Sequence, residues 1–418
     1  MQNDLFANPF MPGAGHMPPY LAGRTQEQEE FKRLLSQAVI TQNLILSGLR
    51  GVGKTVLLGH LKPIAQQAGW LWTGDEFSEQ TALNEDRIVI RIITDLTLLL
   101  GSIFLKTQTE LPIGFVGKKT TKHRPLEYAD LQKIYDDTPG LVADKLKSVL
   151  RYVGKMISPT AVKGIVFAYD EAQNLSDHTQ KDQYPLSLLL DVFQSVQKHP
   201  GGFPFMLVLT GLPTLFKRLT KARTYSERMF HALMLDRLSD QESRDAVTVP
   251  IQQKNCPVKF TPESVETIVK HSGGYPFFIQ YICREAFDLY MAKLISKEPT
   301  VIPMVQVLQK LDQNFFSKRW DLVSDPQRIF LKVVAQLPNC EAEFTAQEII
   351  RVSKDTLDKK YSSSSVAQYL NRLEDKGLIY RNRFGRYQFA VPMLSGFIRR
   401  QTEKEANLPS RFRSSSGT

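Results

Sequence analysis

Between an apolar run at 43–47 and a helical pattern at 56–68 lies Gly48-Leu49-Arg50-Gly51-Val52-Gly53-Lys54-Thr55. This octapeptide matches GxxxxGK[ST] at every fixed position, and few architectures can hold it. The strand before it and the helix after it supply the context that gives the pattern meaning. Its glycines let backbone N–H groups curl around a phosphate where a Cβ would obstruct, and the helix start adds partial positive charge. The expectation is a nucleotide site made of Gly48, Leu49, Arg50, Gly51, Val52, Gly53, Lys54, Thr55 and Val56. Lys54 should reach the β- and γ-phosphates of ATP, and the Thr55 hydroxyl should bind Mg2+.

Three further apolar runs read as strands: one beginning at Trp70, one at 164–169 and one at 205–210. Helical stretches separate them, and near-continuous apolar strands of this kind argue for a parallel sheet covered on both faces. The run at 164–169 ends in Asp170-Glu171. Alternation along a strand would point these carboxylates in different directions and let them divide the labour. Asp170 is expected to complete the Mg2+ shell through water, and Glu171 to orient or deprotonate the attacking water. The run at 205–210 ends in Thr210, expected beside the γ-phosphate, where it can help hold that water.

Composition narrows the rest. At 418 residues the chain is long enough for two or three domains, and 42% hydrophobic with 23% charged residues excludes disorder for its bulk. The net charge of +10 permits an anionic partner without requiring one. Three cysteines far apart, with no CxxC spacing, argue against disulfides and zinc and suit a reducing cytosol, so a cytoplasmic protein is expected. The longest apolar run, at 96–105, is broken by Thr97, Gly101 and Ser102 and falls short of the roughly 20 residues a membrane span needs. No membrane partner and no signal peptide are expected.

The organisation expected along the chain is a flexible or loosely docked arm at 1–22, a P-loop ATPase core at 23–250, a helical lid at 251–322, a winged helix at 323–402 and a disordered tail at 403–418. A proline-flanked insertion at about 106–140, with Lys118, Lys119, Lys122 and Arg124 close together, reads either as a solvated excursion or as a nucleic-acid or partner contact. In the lid, Thr261-Pro262 reads as a helix cap and start, and Gly273-Gly274 ends that helix before Pro276 opens the next. Near the C-terminus, three amphipathic helices precede two short strands around Phe384-Gly385-Arg386, which is the winged-helix arrangement.

These motifs resemble the P-loop ATPases of the AAA+ and STAND superclass, and most closely ATP-binding proteins related to the replication-initiator ATPases. The resemblance spans about 21–400 and implies an α/β P-loop NTPase core with a parallel sheet, a helical lid and a C-terminal winged helix. Leu21-Ala-Gly23-Arg24 is similar to that group's entry motif, which implies that Arg24 lies near the adenine. Gly273-Gly274-Tyr275-Pro276 looks like the GxP motif of STAND lids, implying that Pro276 contacts nucleotide, although a plain helix start needs the same geometry. Initiators usually bring an arginine from this helix, but Arg284 lies two turns further on, a departure that favours a STAND-like switch. The segment 221–230 resembles the family's post-sensor stretch, which implies that Arg228 is an arginine finger in trans, requiring self-association, or an internal γ-phosphate contact.

Between Lys359 and Arg386 seven cations stand against two carboxylates. Ser363, Ser364, Gln368 and Arg372 could face a major groove. Lys376 lies beside them, and Arg381, Arg383 and Arg386 would lie on the wing near phosphates. Two functions from different classes follow: a DNA-associated ATPase whose nucleotide state repositions the winged helix, or a signalling or defence switch gated by a protein partner, its winged helix used for internal packing.

Overall fold

The computed structural model describes residues 7–406 apart from 14, 81–83, 102–104, 111–119, 200, 255, 257, 297–301, 358–359 and 384, with the backbone alone at 105–110, 120–124, 294–296 and 383. The chain divides into two compact units. One comprises residues 24–48 and 54–235, and the other 1–23, 49–53 and 236–418.

The described strands of the first unit are β1 (Asn43–Gly48), β2 (Trp70–Thr73), β3 (Leu105–Glu110), β4 (Thr120–Pro125), β5 (Gly164–Tyr169), β6 (Phe205–Gly211) and β7 (Phe230–Leu235). Five of them form a parallel sheet in the order β2-β5-β6-β1-β7. Every residue of β1, β5 and β6 is buried. Successive side chains point to opposite faces, so both faces are covered, which is why these strands read as unbroken apolar runs. β7 escaped the sequence reading because it is an edge strand: its four inner residues, His231 to Met234, are half-buried or exposed and carry no such run.

The insertion at 106–140 has structure of its own. β3 and β4 pair antiparallel, with Leu105 opposite Pro125, and a helix, Tyr128–Asp137, follows. Leu126 and Leu131 then return to the unit's core. Lys118 and Lys119 lie outside the described residues, while Lys122 and Arg124 fall on β4.

In the second unit the helices Asp240–Gln253, Pro262–Ser272 and Pro276–Ser296 pack around Val247, Ile268, Ile282 and Phe287. Phe10, from the segment expected to be an arm, is buried among them; residues 1–6 and 14 of that segment lie outside the described residues. Thr261 caps the helix that Pro262 opens. A further helix at 304–321 carries a π turn at Asp312–Phe316.

The winged helix has the helices Asp325–Ala335, Ala346–Thr356 and Ser363–Asp375 and a three-stranded sheet. Its strands are β8 (Phe344–Thr345), β9 (Ile379–Arg383) and β10 (Arg386–Phe389), in the order β8-β10-β9. Two residues were too few for β8 to show a pattern. The helix Leu394–Ala406 corrects the expected tail, since 403–406 form its last turn; 407–418 lie outside the described residues. Phe316 stacks between Phe278 and Phe397, with ring centroids 6.0 and 5.3 Å away. Beside it the Arg400 guanidinium makes hydrogen bonds of 2.9 and 2.5 Å to the buried Asp312 carboxylate. The helix Pro276–Ser296, the helix at 304–321 and the winged helix thus share one core.

Cys256, Cys283 and Cys340 are free and buried. Among the described residues no helix is long and apolar enough to cross a membrane.

Candidate nucleotide site

Parallel strands end on one edge of their sheet, so Gly48, Tyr169 and Gly211 close β1, β5 and β6 side by side. Lys54 and Thr55 open the helix Lys54–Gln67 at this edge. Lys54 is only 7% exposed, and its Nζ donates to the Gly48 carbonyl at 3.0 Å. Asp170, also buried, accepts the Thr55 hydroxyl on one carboxylate oxygen and the Thr210 hydroxyl on the other. Three segments far apart in the sequence therefore meet on one carboxylate.

Glu171 comes next, in left-handed backbone at φ 50°, with its N–H on Asp170 Oδ1 at 2.7 Å. This corrects one expectation. β5 ends at Tyr169, so Asp170 and Glu171 diverge because the chain turns, and not because strand side chains alternate.

Two features of this edge were missed. Asp75 and Glu76 follow β2, the neighbour of β5, and the Asp170 N–H donates to the Asp75 carbonyl at 3.1 Å. Burial first, and then the charges of Glu171, Asp170 and Asp75, push the Glu76 carboxyl above its usual range. An acidic pair just after a strand was the available signal, but it needed the strand order to be useful. Gln173 is the second: its side chain donates to the Glu171 carboxylate. A buried network fixes the end of β5 from behind. Tyr169 Oη donates to Asp95 at 2.8 Å, Arg91 pairs with Asp95 at 2.6 Å, and the Tyr169 ring stacks on Phe77 at 4.2 Å.

The tip of the glycine loop, Leu49–Gly53, groups with the second unit. Gly51 and Gly53 have φ of +82° and +89°, which residues with a Cβ rarely adopt. The Phe277 N–H donates to the Gly51 carbonyl at 3.1 Å, and a Cβ on Gly53 would stand 3.9 Å from the Pro276 ring. Pro276 opens its helix beside this loop. Arg50 reaches the winged helix: its Nη2 lies 3.6 Å from where a Gly377 Cβ would stand. In the entry segment, Ala22 is buried in the helical core of the second unit. Arg24, in the first unit, has φ 66° and pairs with Glu27 at 3.2 Å.

A phosphate fits a loop with two left-handed glycines, a buried lysine and a helix start. Among the described residues no group of three or more His, Cys, Asp or Glu side chains could hold a metal unaided. One hydroxyl and one carboxylate are the share a protein gives to Mg2+, which keeps several waters and takes phosphate oxygens.

Arg228 is not at this edge. It precedes β7, whose first residue, Phe230, pairs with Asn43, the first residue of β1. It therefore lies where β1 begins, whereas Lys54 follows where β1 ends, roughly 17 Å away along a six-residue strand. Arg228 and Lys54 therefore stand at opposite ends of β1. Arg228 is exposed and lines a cleft of about 580 Å³ with Thr41, Gln194, Lys198 and His199. Its segment is anchored by Arg223, which grips Asp191 at 2.6 and 2.9 Å, and by the Tyr225 hydroxyl on the same carboxylate. Burial opposes ionisation of Asp191, but these hydrogen bonds and the Arg223 charge outweigh it and hold its carboxyl below the usual range.

The basic residues of the winged helix divide. Arg372 is exposed on the helix Ser363–Asp375, on the side away from buried Val366, Leu370 and Leu373, with Ser363, Ser364 and Gln368 also exposed. Arg386 is half-buried on β10, and Arg383 lies on β9 with its side chain outside the described residues. The other two bond within the chain, Lys376 while remaining exposed. Lys376 Nζ donates to the Leu322 carbonyl, and Arg381 donates to Tyr387 Oη at 2.7 Å with its guanidinium 5.2 Å from that ring's centroid.

A family model described as a domain of unknown function (DUF8462) matches residues 313–398. No curated protein sequence is similar to this chain. Among solved structures, the ORC2 protein of Aeropyrum pernix in its ADPNP-ADP complexes is similar at a TM-score of 0.52 and 14% identity, over 95% of this chain and 98% of that one. The ADP form of the same protein gives 0.54 and 14%, over 93% and 97%. At such identity the likeness speaks for the fold alone. The chain folds as that protein does, with an α/β P-loop core on a parallel sheet, a helical lid and a C-terminal winged helix.

Proposed function

We propose that this protein binds ATP with Mg2+ at the loop 48–55 and hydrolyses it, and that the nucleotide state governs how a DNA-contacting winged helix is presented. The observation that carries the reading is Asp170 held between the Thr55 and Thr210 hydroxyls, at the strand edge where Lys54 is buried. The ORC2 protein with the same fold was solved with ADPNP and ADP, which supports a nucleotide as the ligand.

In this reading the loop N–H groups take the phosphate oxygens, and Lys54 leaves the Gly48 carbonyl for the β- and γ-phosphates. Thr55 and Asp170 would hold Mg2+, which supplies charge neutralisation on the phosphate oxygens when bound. Glu171 accepts the proton of the attacking water, and Thr210 orients that water. The γ-phosphate supplies the difference in affinity that any switch needs. Contacts inside the second unit support a route from the loop to the winged helix. Gly51 is bonded to Phe277, whose neighbour Phe278 packs on Phe316 in the winged-helix core.

The exposed face with Ser363, Ser364, Gln368 and Arg372 supports duplex DNA as the partner. The bonds that Lys376 and Arg381 make within the chain favour a second reading, in which the winged helix packs internally and a protein partner gates the switch. Arg228 would serve either reading in trans, between copies of the chain. The test is steady-state ATP hydrolysis at low salt, with and without duplex DNA. Stimulation that is lost when Arg372, Arg383 and Arg386 are replaced together supports the first reading. Turnover indifferent to DNA supports the second, and absence of ATP binding overturns both.

A further inference from the structure

We infer that Gln173 is a positioning residue that holds Glu171 and ties it to the end of β6. The inference rests on the reading of Glu171 as the group that handles the attacking water. Gln173 is 8% exposed and lies in the short turn Ala172–Asn174. Its Nε2 donates to the Glu171 carboxylate, and its Oε1 accepts the Leu212 N–H at 3.1 Å. The backbone is held as well. The Gln173 carbonyl accepts Arg218 Nη1 at 2.6 Å, and Asn174 Nδ2 donates to the Phe77 carbonyl at 2.7 Å.

The space for this amide is made by a glycine. A Cβ on Gly211 would stand 2.7 Å from Gln173 Oε1. A glutamate side chain has several rotamers to lose, and a hydrogen bond from an amide anchored at its other end removes that freedom before substrate arrives. Leu212 lies two residues beyond Thr210, whose hydroxyl bonds Asp170. One strand end therefore holds both carboxylates, Asp170 through Thr210 and Glu171 through Gln173. A buried amide uses both its donor and its acceptor here, as buried polar groups must. A methionine or glutamate at 173 could not make both bonds.

Gln173→Met keeps the length and volume of the side chain and removes both hydrogen bonds. Gly211→Ala keeps Gln173 but places a methyl against its Oε1. With the full chain and Mg·ATP, we expect kcat to fall about 10- to 100-fold in Gln173→Met, the cost of a misplaced catalytic group. Gly211→Ala should fall in the same direction. The Kd for ATP should stay within about twofold of wild type in both, because uniform binding is untouched. Side-chain packing alone would leave kcat of the methionine variant intact. Glu171→Gln is measured beside them. If it turns over like wild type, the reading of Glu171 fails and this inference falls with it. If it is inactive while Gln173→Met keeps or raises the wild-type kcat, only this inference is overturned. A Gln173→Met protein that loses ATP affinity at unchanged kcat also overturns it.

Discussion

The sheet edge where β1, β5 and β6 end and the open face of the helix Ser363–Asp375 are both rich in polar side chains, and they are built in opposite ways. At the sheet edge the groups are bonded to one another. Asp170 takes two hydroxyls, Lys54 a carbonyl and Glu171 an amide. On the helix, Ser363, Gln368 and Arg372 are exposed, and only the opposite, apolar side is packed. A polar group taken from water is costly unless satisfied, so each member of the first set constrains its neighbours. An exposed set imposes no such condition, and its members act one at a time.

The largest effect belongs to the coupled set. Glu171→Gln should cut ATP turnover about 10²- to 10⁴-fold, the range for losing a general base, with nucleotide binding retained; single-turnover kinetics beside a binding titration check it. A chelator should abolish wild-type turnover under the same assay.

The same distinction can be drawn in the second unit. Asp312 is 2% exposed and paired with Arg400, so Asp312→Ala should destabilise by about 1–3 kcal/mol in denaturant unfolding. Asp325, paired with Arg328 at 3.3 Å on the surface, should cost at most about 1 kcal/mol. Equal losses would erase the contrast between buried and exposed polar pairs.

Lys54→Ala should weaken ATP binding about 10- to 100-fold, as expected for one lost charge-assisted hydrogen bond. Undiminished binding in calorimetry would remove the loop from the site.

A double-mutant cycle sharpens the comparison further. Thr55→Val and Thr210→Val share Asp170, and their effects on Mg·ATP affinity should be coupled by about 0.5–3 kcal/mol. Ser363→Ala and Arg372→Ala share no partner, so their effects on DNA affinity should add.

The smallest effect is expected from Arg372→Ala alone: a severalfold loss of DNA binding at low salt, with the log–log salt slope reduced by about 0.9 if its contact is a phosphate. A slope identical to wild type would leave Arg372 outside the interface.

Much of the core and of the candidate site was legible before folding. The glycine loop announces itself because it works through backbone conformation, and backbone conformation is written locally in glycines. β5 and β6 were visible because burial on both faces demands an unbroken apolar run. What stayed hidden lay at edges and between segments. β7 carries the mixed pattern of an edge strand, and β8 has only two residues. The basic residues near the C-terminus looked alike in the sequence, yet Lys376 and Arg381 bond to groups brought near by folding.

The sequence by itself determined the glycine loop, the strand followed by two carboxylates, the polar end of β6 and the winged-helix order, since each depends on residues close together in the chain. Only the tertiary structure decided that Thr55 and Thr210 converge on Asp170 and that Glu76 joins the acidic edge beside it. It also decided that Gln173 reaches both Glu171 and Leu212, and that Arg228 stands where β1 begins rather than where it ends. The physical reason is common to all four. Strand order and register bring together residues tens of positions apart, and local spacing carries no record of that pairing.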